Sequence, residues 1–490
     1  MTAAAAGPRA RRVLEHAALV LLGIGGPLAY LLASPVYSSG DEAAHVDYAL
    51  QVWHGRLPVF ERGLELQNAV GFHPPVQWAS HHPPLVYLLL APVVGPLVDA
   101  GHVDGAGMAA RGVMVALSVA LLYAVRAIGT RMLPGVPGAG LASAVVVGLS
   151  ALFVRLGGAV YTDIPAALLS ALAFLALLRL ALGDARRRDA VLFVAACAAC
   201  GLTRFSLLPI AALLAVVLVV AGHLPGRLRP RAAWATALAA VAAVLATSGW
   251  FYLRNRALTG NLAGGHPEWA AENTRRVARP PLEVVTDPAF WSRMSEQMAI
   301  GTYPRLPDAL AAPWPWWTLL LVVLPLVAGL ALAMVRLVRG RDQRAVRALL
   351  LATVLAACAG IAAMQVLHHA GGGSAFARYF FAMVPFLAPF VALPLLWLRG
   401  APLVLWGLVR VWLLGLELEV TLQRDLRGPQ AELYPAGAWW AFGMTVAGLL
   451  LALGLVVARP RGRQGERPDQ PRTVGTPAAD DRPAGALAPS

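Results

Sequence analysis

Apolar runs about 20 residues long, separated by short polar stretches, recur from one end of the chain to the other. Coiled as a helix, a run of about 20 residues matches the hydrocarbon thickness of a bilayer. The pattern predicts an all-α integral membrane protein of about twelve transmembrane helices. They fall over roughly 13–34, 110–131, 138–156, 164–182, 189–204, 206–222, 232–252, 313–336, 347–368, 380–398, 401–418 and 437–458. The pair at 189–222 is short and reads as two helices hinged around Gly201-Leu202-Thr203-Arg204. A further apolar segment, Pro84 to Val98, is only about 15 residues long, which suits an interfacial or re-entrant helix better than a span.

Charge orients these helices. Arg9, Arg11 and Arg12 precede the first run. If they are cytoplasmic, alternate loops carry Arg126 and Arg131, Arg186 to Arg188, then Arg227, Arg229 and Arg231, then Arg336, Arg339, Arg341, Arg344 and Arg347, and the tail opens with Arg459, Arg461 and Arg463. All then lie on one side, the positive-inside distribution, provided that 84–98 does not cross. The long loops at about 35–109 and 253–312 then face outward, in a plasma membrane with both termini cytoplasmic. The expected layout is a cytoplasmic tail at 1–12, a catalytic transmembrane domain at 13–400, two further helices within 401–458 and a disordered cytoplasmic tail at 459–490, rich in Pro and Arg.

Composition agrees. Hydrophobic residues make up 58% of the chain and charged residues 13%, against roughly 25% charged in soluble proteins. The net charge of +14 resides in short loops beside apolar runs, so the bilayer, not nucleic acid, is the expected partner. Cys197, Cys200 and Cys358 lie within apolar runs, and the Cys-x-x-Cys pair has no second ligand pair near it, so all three read as packing residues.

Candidate chemistry gathers at the outer ends of the spans. Asp41 and Glu42, followed by His45, stand just outside the first span, where paired carboxylates suit a general base or a metal site; Asp41 also suits a helix N-cap. His81 and His82 precede Pro83 and Pro84, which start the interfacial segment. Asp163, in Tyr161-Thr162-Asp163-Ile164-Pro165, opens the fourth span in the manner of a helix start and can meet Asp41. Arg204, Arg254 and Arg378 lie on the outer side, against the positive-inside trend. Each guanidinium fork suits phosphate oxygens, and snorkelling at a helix end is the plainer alternative. A glycine run, Gly371 to Gly373, precedes Arg378 and allows backbone to approach a ligand. Arg410 lies within a span, seven residues before Glu417, and needs a partner on another helix.

Six motifs, in this order, carry a resemblance: D-E-A-A-H-V-D-Y from Asp41, H-H-P-P-L-V-Y-L-L-L-A-P from His81, Y-T-D-I-P from Tyr161, G-L-T-R from Gly201, G-W-F-Y-L-R-N from Gly249 and A-R-Y from Ala377. Over about residues 13–400 the chain resembles the GT-C superfamily of membrane glycosyltransferases, which includes protein O-mannosyltransferases and the lipid A aminoarabinose transferase. The resemblance implies a GT-C-like bundle with juxtamembrane helices in the first external loop. It implies transfer of a sugar from a polyprenyl-phosphate donor to a hydroxyl of a glycan, lipid or protein on the extracytoplasmic face. A catalytic acid maps to Asp41 with Glu42, and a second to Asp163. Donor phosphate contacts map to Arg204, Arg254 and Arg378, and to His82, where many members have a stronger base. His45, His81, Tyr379 and Asn255 belong to the same motifs and count with the site. Members differ in metal dependence, so a divalent ion at Asp41 and Asp163 stays open. A transporter or lipid flippase is the alternative, favoured by the many spans and Arg410. The external carboxylates and the absence of repeat symmetry weigh against it.

Overall fold

The computed structural model describes residues 7–458 apart from 70, 184, 227, 275, 301–313, 341–342 and 426–433. The expected cytoplasmic tail at 459–490 lies outside the described residues, as do Arg227 and Arg341 of the loop arginines. Every regular element among the described residues is helical. In chain order these are α1 (Pro8–Ala33), α2 (Gly40–Trp53), α3 (Leu85–Asp99), α4 (Val103–Met132), α5 (Ala139–Gly148), α6 (Ala151–Gly157), α7 (Asp163–Leu182), α8 (Arg187–Gly201), α9 (Leu208–His223) and α10 (Pro230–Thr259). The short helices α11 (Pro267–Thr274), α12 (Pro281–Thr286) and α13 (Pro288–Ile300) follow. The chain closes with α14 (Pro315–Arg339), α15 (Arg344–Ala370), α16 (Ala377–Leu395), α17 (Ala401–Asp425) and α18 (Pro435–Val457).

Among the described residues, nine helices are long and apolar enough to cross a membrane, and up to ten if the bent pair α5–α6 is one span. The sequence pattern predicted about twelve. The two that differ are α8, only 15 residues long, and α17, which is not among the helices so counted. The most apolar stretches of α10 and α14 are only 22% buried. Their outward faces therefore need a nonaqueous solvent, which is the bilayer's role. At 15 residues α3 is about 22 Å long, too short to span. It packs on α2 and the start of α4 around Tyr48, Tyr87, Leu90, Val94 and Met114, a core separate from that of the main bundle.

Within lipid, a broken helix leaves backbone groups that only protein can satisfy. The α5–α6 pair, a broken span or a re-entrant loop, bends by 68°, and α17 satisfies and anchors it. Arg410 Nε donates to the Leu149 carbonyl at 3.0 Å, where the dipole of α5 ends. Two turns further on, Glu417 accepts from Arg155 Nε at 2.6 Å on α6. Ser150 Oγ caps α6 by accepting the Phe153 amide at 3.1 Å. The intramembrane Arg410 thus acts on the backbone of another helix. A similar repair occurs in α14, where Pro325 has no N–H to offer Leu321. The backbone loosens to a π-turn at Leu319–Val323, and Trp406 Nε1 donates to the Leu321 carbonyl at 3.0 Å.

Arg111, 1% exposed, ties the C-terminal end of α1 to α2. It donates to the carbonyls of Leu31 (3.1 Å), Ser34 (2.7 Å) and Pro35 (2.9 Å), and pairs with both oxygens of Glu42 at 2.7 and 2.6 Å. Cys197 and Cys200 are buried on α8 as free thiols.

Candidate active site

Five separate segments bring their polar side chains together. The first turn of α2 contributes Asp41, and the loop before α3 contributes His81 and His82. The start of α7 contributes Asp163 with Tyr161 just before it, and the hinge after α8 contributes Arg204. A 3₁₀ turn over Ala377–Met383, opening α16, contributes Arg378 and Tyr379.

Asp41 forms an ion pair with Arg378 through Oδ2 and Nη2. The Arg378 guanidinium lies 4.8 Å from the Tyr161 ring centre and 5.2 Å from those of Phe376 and Tyr379. This aromatic surround favours a cation and limits its motion. Arg378 Nε is buried and has no hydrogen-bond partner among the described residues. A second pair runs alongside, with Arg204 Nη1 donating to Asp163 Oδ1 at 2.6 Å and its guanidinium 5.3 Å from the Tyr379 ring. Tyr161 donates to Ser39 Oγ at 2.9 Å, fixing the residue before Gly40 and Asp41.

Histidines floor the cluster. The His45 ring lies 5.6 Å from His82 and shares a 2.8 Å hydrogen bond with the Tyr87 hydroxyl. His81 and His82 lie 4.0 Å apart. His81 Nδ1 bonds the Trp78 carbonyl at 2.7 Å, and Asn255 donates to the His81 carbonyl at 3.0 Å. Burial pushes His45 down to about 4, although Asp41 pulls the other way. Burial likewise takes His81 down to about 4 and His82 well below its ordinary value. Burial thus favours the neutral imidazole in all three. Burial alone would raise the Asp41 carboxyl. Arg378, then His45, outweigh it and hold the group below the usual carboxylate value. Although protein surrounds Asp41, 31% of its side chain stays open, enough for a reacting group to reach it.

Two expected site residues stand apart. Glu42, placed by the sequence beside Asp41 as a catalytic acid, is 1% exposed. Both its oxygens bind Arg111, and they also accept the amides of Tyr37 (3.0 Å) and Val160 (3.1 Å). Successive helical side chains diverge, so Glu42 anchors α2 while Asp41 faces the cluster. Arg254, expected to share the phosphate with Arg378, donates to the Pro58 carbonyl at 2.6 Å. It lines a hollow with Glu61, Asn255, His266 and His81, the last of which also belongs to the cluster.

The structure adds Tyr161, Tyr87 and His368, whose ring meets Tyr379 edge-on at 5.4 Å. Tyr161 stood in a motif already singled out; His368, at the end of α15, had no local signal. Asp41 and Asp163 each face an arginine, and no set of three His, Cys, Asp or Glu side chains suited to a metal occurs among the described residues. With both carboxylates neutralised in this way, the donor set does not match a hard divalent cation.

Among known proteins, no family model and no curated protein matches the chain. Several solved structures are similar to it, among them the following two. One is ArnT from Cupriavidus metallidurans bound to undecaprenyl phosphate, with a TM-score of 0.49 and 13% identity, covering 90% of this chain and 77% of that one. The other is the archaeal oligosaccharyltransferase AglB from Archaeoglobus fulgidus, in complex with an inhibitory peptide and a dolichol-phosphate. Its TM-score is 0.46 at 12% identity, covering 90% of this chain and 56% of that one, so this chain spans just over half the length of AglB.

Proposed function

We propose that this chain is a GT-C-type glycosyltransferase that moves a sugar from a polyprenyl-phosphate donor to an acceptor hydroxyl at the outer membrane surface. One observation carries the reading: Asp41–Arg378 and Asp163–Arg204 stand side by side, built from segments far apart in sequence and rimmed by Tyr161 and Tyr379. Three aromatic rings surround the Arg378 guanidinium, and its Nε is buried without a hydrogen-bond partner among the described residues.

In this reading Asp41 is the general base. The acceptor oxygen attacks the anomeric carbon, its proton passes to Asp41, and the bond from that carbon to the phosphate oxygen breaks with its electron pair leaving on the phosphate. Positive charge on the sugar and negative charge on the phosphate develop together. Arg378 and Arg204 stabilise the departing phosphate, which their forked donors fit. One displacement inverts the anomeric centre. Asp163 steadies Arg204 and orients the acceptor, while Glu42 positions Asp41 from behind. Which sugar and which acceptor are bound is a matter for assay.

Purified protein incubated with radiolabelled polyprenyl-phosphate sugars and envelope fractions tests the proposal. Label should move to an acceptor with the wild type and not with Asp41→Asn. Near-normal turnover by Asp41→Asn removes Asp41 as the base.

A further inference from the structure

We propose that the donor's phosphate takes Arg378 away from Asp41, so that the base is released only when the donor is bound. This inference rests on the glycosyl-transfer reading of the site and adds an order to it: donor first, acceptor second.

The argument is geometric. In a single inverting displacement the base and the leaving phosphate stand on opposite sides of the anomeric carbon, with the sugar between them; carboxyl pairs in inverting glycosidases are about 6.5–9.5 Å apart. A base in direct contact with the group that holds the leaving phosphate leaves no room for a sugar. Yet Asp41 and Arg378 are in contact. They must part before reaction, and the sugar is what comes between them.

Arg378 is built to stay behind. Tyr161, Phe376 and Tyr379 surround its guanidinium. Gln297 Oε1 accepts the Ala377 amide at 2.8 Å, fixing the turn that carries it. Its Nε is buried without a partner, so it has a donor to give an incoming phosphate before the carboxylate is displaced. Asp41, on the first turn of α2, is the more open partner, 31% exposed against 12% for Arg378. A carboxylate occupied by a guanidinium accepts a proton poorly, and one freed from it accepts a proton better. Without donor the site is therefore closed to acceptor chemistry, which also keeps water from being activated in the resting state.

The consequence is counterintuitive and measurable. Undecaprenyl phosphate, the carrier without its sugar, serves as probe for full-length protein in nanodiscs, with undecaprenol as control. Asp41→Asn is dead in transfer but has no carboxylate to displace, so it should bind the probe about tenfold more tightly than wild type, a change of about 1.4 kcal/mol. Equal or weaker binding by Asp41→Asn overturns the exchange. A second measurement needs no variant: in a cryo-EM structure of the wild type with the probe bound, Arg378 should contact phosphate and have left Asp41. An Arg378–Asp41 pair still intact beside bound phosphate overturns the exchange but keeps the donor reading. If neither protein prefers undecaprenyl phosphate over undecaprenol, the donor reading itself falls, and the exchange with it.

Discussion

At the scale of single residues, adjacent positions in α2 do different work. Asp41→Asn should lower transfer by about 10²–10⁴-fold, the range for a lost general base, with the thermal midpoint little changed. Glu42→Gln should act the other way round. It strips one partner from a buried ion pair that Arg111 completes, a loss of about 3–5 kcal/mol, read as a fall in melting temperature in detergent. The histidines make acid tolerance a residue-scale property too. His45 and His81 are held near 4 in the folded protein against an ordinary value of 6.5. Between those values the unfolded chain binds more protons, so stability is lost as pH falls from 6.5 towards 4. A melting series across that window checks it, and His45→Gln should flatten part of the slope. Residue chemistry was legible where motif and position agreed: Asp41, Asp163, Arg204 and Arg378 do converge. The placement of Glu42 and Arg254 was not legible, because spacing along a chain does not reveal which way a side chain turns, and both of their partners, Arg111 and the Pro58 carbonyl, lie far off in sequence.

At the scale of elements, hydrophobic length located the helices well, because it is the property the bilayer selects. It did not reveal the bend between α5 and α6, since Leu149-Ser150 looks like ordinary apolar chain with a tolerated serine. Nor could it explain Arg410, whose partner is a carbonyl on another helix. The structure makes α17 a splint for the bent pair, and this has a thermodynamic signature. Arg410→Met leaves the Leu149 carbonyl unsatisfied and should cost about 1–3 kcal/mol. Arg155→Met and Glu417→Leu should each destabilise strongly alone, while the double variant recovers much of the loss, because two apolar side chains replace a buried pair with little penalty. Strictly additive losses in thermal denaturation would show that the pair does not act as a unit.

At the scale of the whole molecule, Arg131 closes α4 and Arg336 and Arg339 close α14, whereas Asp163 opens α7 and Arg378 opens α16, and the positive-inside pattern expects the first set cytoplasmic and the second outside. Single cysteines in a cysteine-free background should therefore react with a membrane-impermeant maleimide from outside cells at Glu272, in α11, but at Arg188 only after permeabilisation; the reverse labelling would invert the orientation. The bend between α5 and α6 sets a depth as well. Arms of ten and seven residues at 68° reach about 20–25 Å end to end, short of the ~30 Å hydrocarbon core. Were α5 to begin at one face of the hydrocarbon core, the backbone leading to Tyr161 and Asp163 would end short of the other face, within the leaflet. An isoprenoid tail lying among its neighbours would present its phosphate there without being hauled upward into water, and a water-borne acceptor would have to descend to meet it.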